Sequence, residues 1–162
     1  MSMTDLQTSP PLRLRALDAE DLQVMSGLLQ DAIVTVGDMA FDQETHEFSL
    51  AVQRFRWELL DDVEVKPDPA RCQRIHSALI VSHVAQVKTL NLDFSKRAQV
   101  LDLLALMGCD EGLKITFAGG VELKLMGQNW QVKLADFGEA WPTQCKPCHS
   151  EALAKLDASM GR

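Results

Sequence analysis

Cys145-Lys146-Pro147-Cys148-His149 is the stretch of this 162-residue chain whose residue types and spacing best suit a named chemistry. C-x-x-C-H is the spacing for covalent haem attachment, and C-x-x-C alone also serves zinc and dithiol sites. Haem would take His149 as one axial ligand and a residue such as Met160 as the other, yet only thirteen residues follow His149 to wrap a macrocycle. Such attachment also takes place outside the cytoplasm, and Met1 to Pro11 has neither the basic nor the apolar region of an export signal. Zinc would need further ligands from elsewhere. Cys148 and His149 are adjacent, which hinders joint ligation, and His46, His83 and Cys109 each stand alone. Cys72 and His76 share strand parity but sit about 13 Å apart along a strand rising ~3.3 Å per residue. A thioredoxin-type dithiol belongs at a helix start behind a βαβ unit. Here the pair contains Pro147 in a polar tail, with no βαβ rhythm upstream. The tail is therefore read as two exposed thiols. Cys145, Cys148 and His149 remain the residues of an alternative function, metal binding or thiol redox chemistry, and no cofactor is predicted.

The second constellation is cationic. Arg13 and Arg15 share one face of a strand and Arg54 and Arg56 share a face of another, each pair alternating with apolar residues and the second beside Trp57. If the two strands are neighbours, four guanidinium groups converge on one face. Arginine forks grip carboxylate and phosphate bidentately and stack on aromatic rings, so the cluster would suit an anion or a protein partner. The plainer alternative is that alternating arginines solvate an outer strand face while their stems cover apolar surface. Gly119-Gly120 has no strand–glycine–helix setting, so it is not a phosphate loop. Asp61, Asp62, Glu64 and Asp68 lack the spacing of a calcium loop. No nucleophile–base pair and no carboxylate dyad stands out, which leans away from an enzyme.

The elements that must position these groups are mostly strands. Leu12–Leu17 alternates as a half-buried strand, and Asp18 with Asp21 suits a helix N-terminus for an amphipathic helix over Ala19–Asp31. From Ile33 the period becomes two, with pieces at 33–36 and 39–41, a polar turn at 42–46 and a strand over 47–57. Phe48, Leu50 and Val52 share one parity, whereas Phe55 and Trp57 have the other. Either a β-bulge near Gln53-Arg54 or burial of both faces there accounts for the change. Residues 61–70 read as a solvated connector. Further strands are expected at 73–81, 84–92 and 101–107, the last as a core strand, with a turn at Ser95-Lys96-Arg97. Gly119-Gly120 marks a hairpin between 113–118 and 121–126. Trp130, Leu134 and Phe137 at i, i+4 and i+7, followed by Gly138, favour a short closing helix, although Trp130, Val132 and Leu134 also alternate. At most one helical turn is expected over 151–156.

This order is α+β and mostly antiparallel, a helix-capped curled sheet or split barrel, of which the pleckstrin-homology superfold is one example. The chain divides into a disordered tail over 1–11, a single globular domain over 12–140 and an irregular tail over 141–162. A net charge of −7, from 16 basic and 23 acidic residues, disfavours nucleic-acid binding, which draws on cationic neutralisation of phosphate. No apolar run reaches the ~18 residues of a membrane helix. With no export signal, a cytoplasmic location with four reduced cysteines is expected.

Several segments taken together resemble a known family. They are Leu12-Arg13-Leu14-Arg15-Ala16-Leu17-Asp18-Ala19-Glu20-Asp21-Leu22, Leu28-Leu29-Gln30-Asp31-Ala32, Gly37-Asp38-Met39-Ala40, Arg54-Phe55-Arg56-Trp57-Glu58, Thr116-Phe117-Ala118-Gly119-Gly120, Asp136-Phe137-Gly138 and Trp141-Pro142-Thr143. The family is an uncharacterised proteobacterial domain of unknown function, and the likeness covers about residues 12–149. It implies a small cytoplasmic single-domain protein with no assigned activity or catalytic residues. It also implies a tail that keeps Trp141, Pro147 and His149 but not the two cysteines. The leading reading is a non-enzymatic binding or interaction module for a protein or a small anionic ligand, with Arg13, Arg15, Arg54, Arg56 and Trp57 as its candidate residues.

Overall fold

The computed structural model describes residues 10–60 and 71–145. Nine antiparallel strands and one helix follow in the order β1 (Arg13–Ala16), α1 (Ala19–Leu29), β2 (Ile33–Asp42), β3 (Glu47–Phe55), β4 (Gln73–Ser82), β5 (Gln86–Leu90), β6 (Val100–Cys109), β7 (Gly112–Phe117), β8 (Val121–Met126) and β9 (Gln131–Pro142). They form one open sheet in the order β1-β9-β4-β3-β2-β6-β7-β8-β5. The architecture is thus the expected mostly antiparallel sheet with a helix, and the sheet is not closed. A short 3-10 turn, Trp57–Leu60, follows β3. The expected connector over 61–70 and the expected turn over 151–156 lie outside the described residues.

One hydrophobic core serves the whole sheet. Phe48, Leu50 and Val52 of β3, Leu79 and Val81 of β4, and Val132 and Leu134 of β9 face inward with Ile115, Leu123 and Leu125 of the far strands. Leu22, Met25 and Leu29 bury one face of α1 against them. The helix begins as the sequence predicts: the Asp18 carboxylate accepts the Asp21 amide, and the Asp21 carboxylate accepts the amide of Leu17. The first bond satisfies a donor that a helix start leaves without a partner, and the second fastens the residue before the cap to the first turn.

The structure decides three points. The last element is a strand: Trp130, Val132 and Leu134 obey its period of two, and Gly138 (φ 72°) sits within β9 rather than after a helix. The ladder between β4 and β9 shifts between Arg74 and His76, so the chain bulges around that glycine. Second, of the two alternatives for β3 the burial of both faces holds and the bulge at Gln53-Arg54 does not, since its pairing with β4 runs unbroken from Phe48 to Phe55. Arg54 and Phe55 are both buried, so the strand is covered on both faces there. Third, Cys72 and Cys145 are joined by a disulfide rather than being free thiols. Gln73 of β4 pairs with Pro142 of β9, so the residues flanking those strand ends meet with their Cα atoms 5.1 Å apart. A separation of 73 residues concealed that neighbourhood. β9 runs to Pro142, and the Thr143 amide beyond it donates to the Cys72 carbonyl.

The run over 101–107 is a core strand with a correction of its own. Leu103 pairs with Phe117 and Ala105 with Thr116, leaving Leu104 as the extra residue of a bulge. The buried parity therefore changes from Leu101 and Leu103 to Leu106, while Leu104 and Met107 turn outward, 47% and 48% exposed. The Gly119-Gly120 hairpin forms as predicted, with both glycines at positive φ (84° and 74°).

Candidate ligand-binding site

The arginines singled out in the sequence do not converge. β9 and β4 lie between β1 and β3, so Arg13 and Arg15 are exposed on an edge strand while Arg54 is fully buried. Arg54 shares the inward parity of Phe48, Leu50 and Val52, which places a guanidinium in the core layer. Its Nε and Nη2 donate to the two oxygens of Asp136, each at 2.8 Å. Nη1 and Nη2 donate to the two oxygens of Glu58 at 2.9 and 2.8 Å, and Nη1 also reaches the Phe55 carbonyl at 3.3 Å. All five donors of the guanidinium are therefore occupied. Asp136 further accepts from the Ser77 hydroxyl at 2.5 Å and the Leu12 amide at 2.8 Å.

The electrostatics agree. Burial works against the charge on Arg54, but its bonds to Glu58 and Asp136 outweigh that and hold its pKa above the ordinary guanidinium value. Burial likewise opposes ionisation of Asp136. The bonds from Arg54, Ser77 and Leu12 win there, so its carboxyl lies below the usual carboxylate value. This pair ties β1, β3, β4 and β9 together, and it has no donor to spare for an incoming anion.

The neighbours also have structural duties. Arg56 is buried, donates to Gln73 at 2.8 Å and places its Nε 3.8 Å from Glu58. That Nε has no hydrogen-bond partner. The indole of Trp57 donates to the Gln30 carbonyl at 3.0 Å, and Arg74 reaches the Asp31 carbonyl at 3.4 Å and that of Gln53 at 2.8 Å. Trp57 and Arg74 thus serve carbonyls that the end of α1 leaves exposed. In the tail, Cys145 is engaged with Cys72, and Cys148 and His149 lie outside the described residues. Among the described residues no three of His, Cys, Asp and Glu gather as metal ligands would.

A cleft of about 330 Å³ opens elsewhere, where β2 and β5 come near each other without hydrogen bonds. Met39, Ala40 and Phe41 of β2, Phe48 of β3 and Val87 of β5 give it an apolar wall; Phe94, Arg97 and Gln43 complete the lining. The wall arises from an interruption in β2. Val34 pairs with Val52, but the next pair is Met39 with Leu50, so residues 35–38 leave the ladder with β3. There the chain turns to the 93–99 loop instead: Val36 donates to Gln99, Gly37 donates to Arg97, and Arg97 Nη2 returns a bond of 2.7 Å to the Gly37 carbonyl. A Cβ on Gly37 would lie 2.8 Å from the Arg97 carbonyl oxygen, so this close approach requires glycine. The loop is itself braced by Asp93, whose carboxylate accepts the amide and hydroxyl of Ser95. Phe94 is thereby held at the rim, 38% exposed, and Arg97 is exposed beside it with no ion pair among the described residues.

A second groove of about 290 Å³ lies between α1 and β6, but its Ser26 hydroxyl is committed to the Leu106 amide at 2.9 Å. Arg97 lies in the turn expected at Ser95-Lys96-Arg97, and the cleft beside it is not among the sites that the sequence predicts. Its signals were the Gly37-Asp38 break in β2 and the aromatic Phe94 inside an otherwise polar turn.

A family model described as a protein of unknown function matches residues 12–149. No curated protein and no solved structure matches the chain. Among the described residues no helix is long and apolar enough to cross a membrane.

Proposed function

The chain belongs to the DUF2948 family of proteins of unknown function, and we propose that it is a non-enzymatic binding module for a small amphipathic anion. The observation that carries this reading is the cleft between β2 and β5, whose apolar wall ends at the exposed guanidinium of Arg97. Ligand sites are typically concavities of about 300–1,000 Å³, mostly apolar, with a few polar groups that fix orientation. An alkyl or aryl body would lie along Met39, Phe41, Phe48 and Val87, with Phe94 closing over it. A carboxylate or phosphate at its end would take the Arg97 donors that the Gly37 carbonyl leaves unused. The curled sheet is read as a split barrel of the pleckstrin-homology kind, a reading supported by the unbonded approach of β5 to β2. The split would then be the mouth of the site.

Titration with decanoate and with decanol, followed by amide chemical shifts and calorimetry, tests the assignment. Saturable shifts are expected at Met39, Phe41, Val87 and Phe94, with the acid preferred to the alcohol. A charge-assisted hydrogen bond contributes about 1.5–3 kcal/mol, so Arg97→Ala should weaken decanoate about tenfold or more and leave decanol unchanged. Phe94→Ala should weaken both. Equal affinity for acid and alcohol, or shifts away from the cleft, would overturn the reading.

A further inference from the structure

We propose that the free edge of β5 takes an added strand: an extended peptide of another protein in which apolar and acidic side chains alternate. The inference rests on the cleft as the binding site and names its occupant. Three observations point to it. β5 is the last strand of the sheet and pairs through Gln86–Leu90 with β8 alone, so among the described residues its other edge has backbone donors and acceptors to offer. That edge borders the cleft, since Val87 forms part of the apolar wall and the facing stretch of β2 makes no backbone bond to it. The outer face of the same strands is cationic. Lys88 lies opposite Lys124, and Lys124 opposite Lys114, which sets three ammonium groups in one row across β5, β8 and β7.

Neighbouring strands lie about 4.8 Å apart, and like charges directly opposite each other destabilise a sheet. Lys114 lies 3.8 Å from Glu122, whereas Lys88 and Lys124 are exposed and have no ion pair among the described residues. A chain with a net charge of −7 thus keeps two unmatched cations at the rim of its open sheet. An acidic side chain on an added strand, in row with Lys88, meets that row with the opposite sign. The residues before and after it point to the other face, in row with Val87, and enter the cleft beside Met39 and Phe41. The anion of the small-ligand reading is then a carboxylate of this peptide. A second copy of the chain is a poor occupant, because two β5 strands paired about their centre bring Lys88 against Lys88.

Calorimetry and amide chemical shifts on the full-length chain test the proposal, with the peptide acetyl-Glu-Val-Glu-Val-Glu-Val, its carboxylate free, as the probe. Saturable binding is expected, with shifts at residues 86–90 as well as in the cleft. Alternate amides of a strand point to opposite edges, so N-methylation of the Val amides or of the Glu amides blocks one edge only. One methylated probe should bind about tenfold or more weakly, through the loss of several backbone bonds, and the other as well as the parent. Lys88→Glu removes a like-charge pair from the sheet, so it should fold at least as well as the wild type. It should nevertheless bind the probe about threefold or more weakly and prefer a counterpart with Lys in place of Glu. Decanoate separates this inference from the reading beneath it. Decanoate bound in the cleft, with both methylated probes equal to the parent or with no shift at 86–90, would overturn strand addition and leave the small-anion site standing. Failure of probe and decanoate alike would overturn both.

Discussion

Replacing Asp136 by Asn keeps the shape of the side chain and removes the charge that Arg54 was buried to meet. Asp136 accepts four hydrogen bonds, two from Arg54 and one each from Ser77 and Leu12. An amide can accept at one oxygen only, so its NH2 group must face donors on the other side. Arg54 keeps Glu58, which is 23% exposed and supplies a weaker, partly hydrated countercharge. Breaking a buried pair typically costs about 3–5 kcal/mol, a large share of the ~5–15 kcal/mol that holds a domain folded. At ~2–4 °C per kcal/mol for a chain of this size, the melting temperature should fall by roughly 6–20 °C. Urea denaturation at pH 7 measures the loss, and a cycle with Arg54→Met separates the pair from its surroundings. The pH dependence gives an independent reading. Because the folded pKa of Asp136 is depressed, its contribution is fully present above the unfolded carboxylate value of ~3.9 and is lost as pH falls through the folded value. The gap between wild type and Asp136→Asn should therefore be widest near neutrality and shrink in acid. A loss under ~1 kcal/mol at pH 7, or a gap that widens in acid, would refute the account of Asp136 as the charge that holds four strands together.

Gly37→Ala would drive a Cβ into the Arg97 carbonyl. Overpacking of this kind costs about 1–3 kcal/mol, and the variant should lose decanoate affinity together with stability; unchanged stability would show that the loop does not depend on that approach. Trp57→Phe removes the donor to the Gln30 carbonyl and should cost about 1 kcal/mol. Faster amide hydrogen exchange at Asp31 is its local signature, and wild-type protection there would refute the role given to Trp57 at the end of α1.

Much of the fold was legible because apolar side chains repeat with the period of the backbone that carries them. The Asp18–Asp21 helix start, the Gly119-Gly120 turn and the strands from Ile33 to Met126 are of this kind, since local chemistry decides them. β9 departs from the expected helix for a physical reason. Its inward positions are Val132, Leu134 and Asp136, and a charged residue in the third place broke the alternation just where Phe137 offered a helical spacing. Tertiary neighbours account for the disulfide and the β6 bulge: nothing near Cys72 in sequence announces Cys145, and Leu104 is pushed outward by its register with β7.

The arginine pairs follow the same principle, and their placement moves the candidate site. Arg54 continues the parity of Phe48, Leu50 and Val52, Ser77 continues that of Leu79 and Val81, and Asp136 continues that of Val132 and Leu134. A cation and an anion that both fall in the core phase of their strands have water on neither side. Each must find the other or unfold the sheet around it. Opposite charges in core phase on different strands thus mark a buried pair, whereas a ligand-binding cation has to keep donors that the fold does not consume. Arg54 has none left and Arg56 sits under the surface, but Arg97 gives one bond of 2.7 Å to Gly37 and stands exposed at the end of an apolar wall. The residue best placed to meet an anion is therefore the one whose position depends on a glycine sixty residues away, a relation that no spacing along the chain encodes.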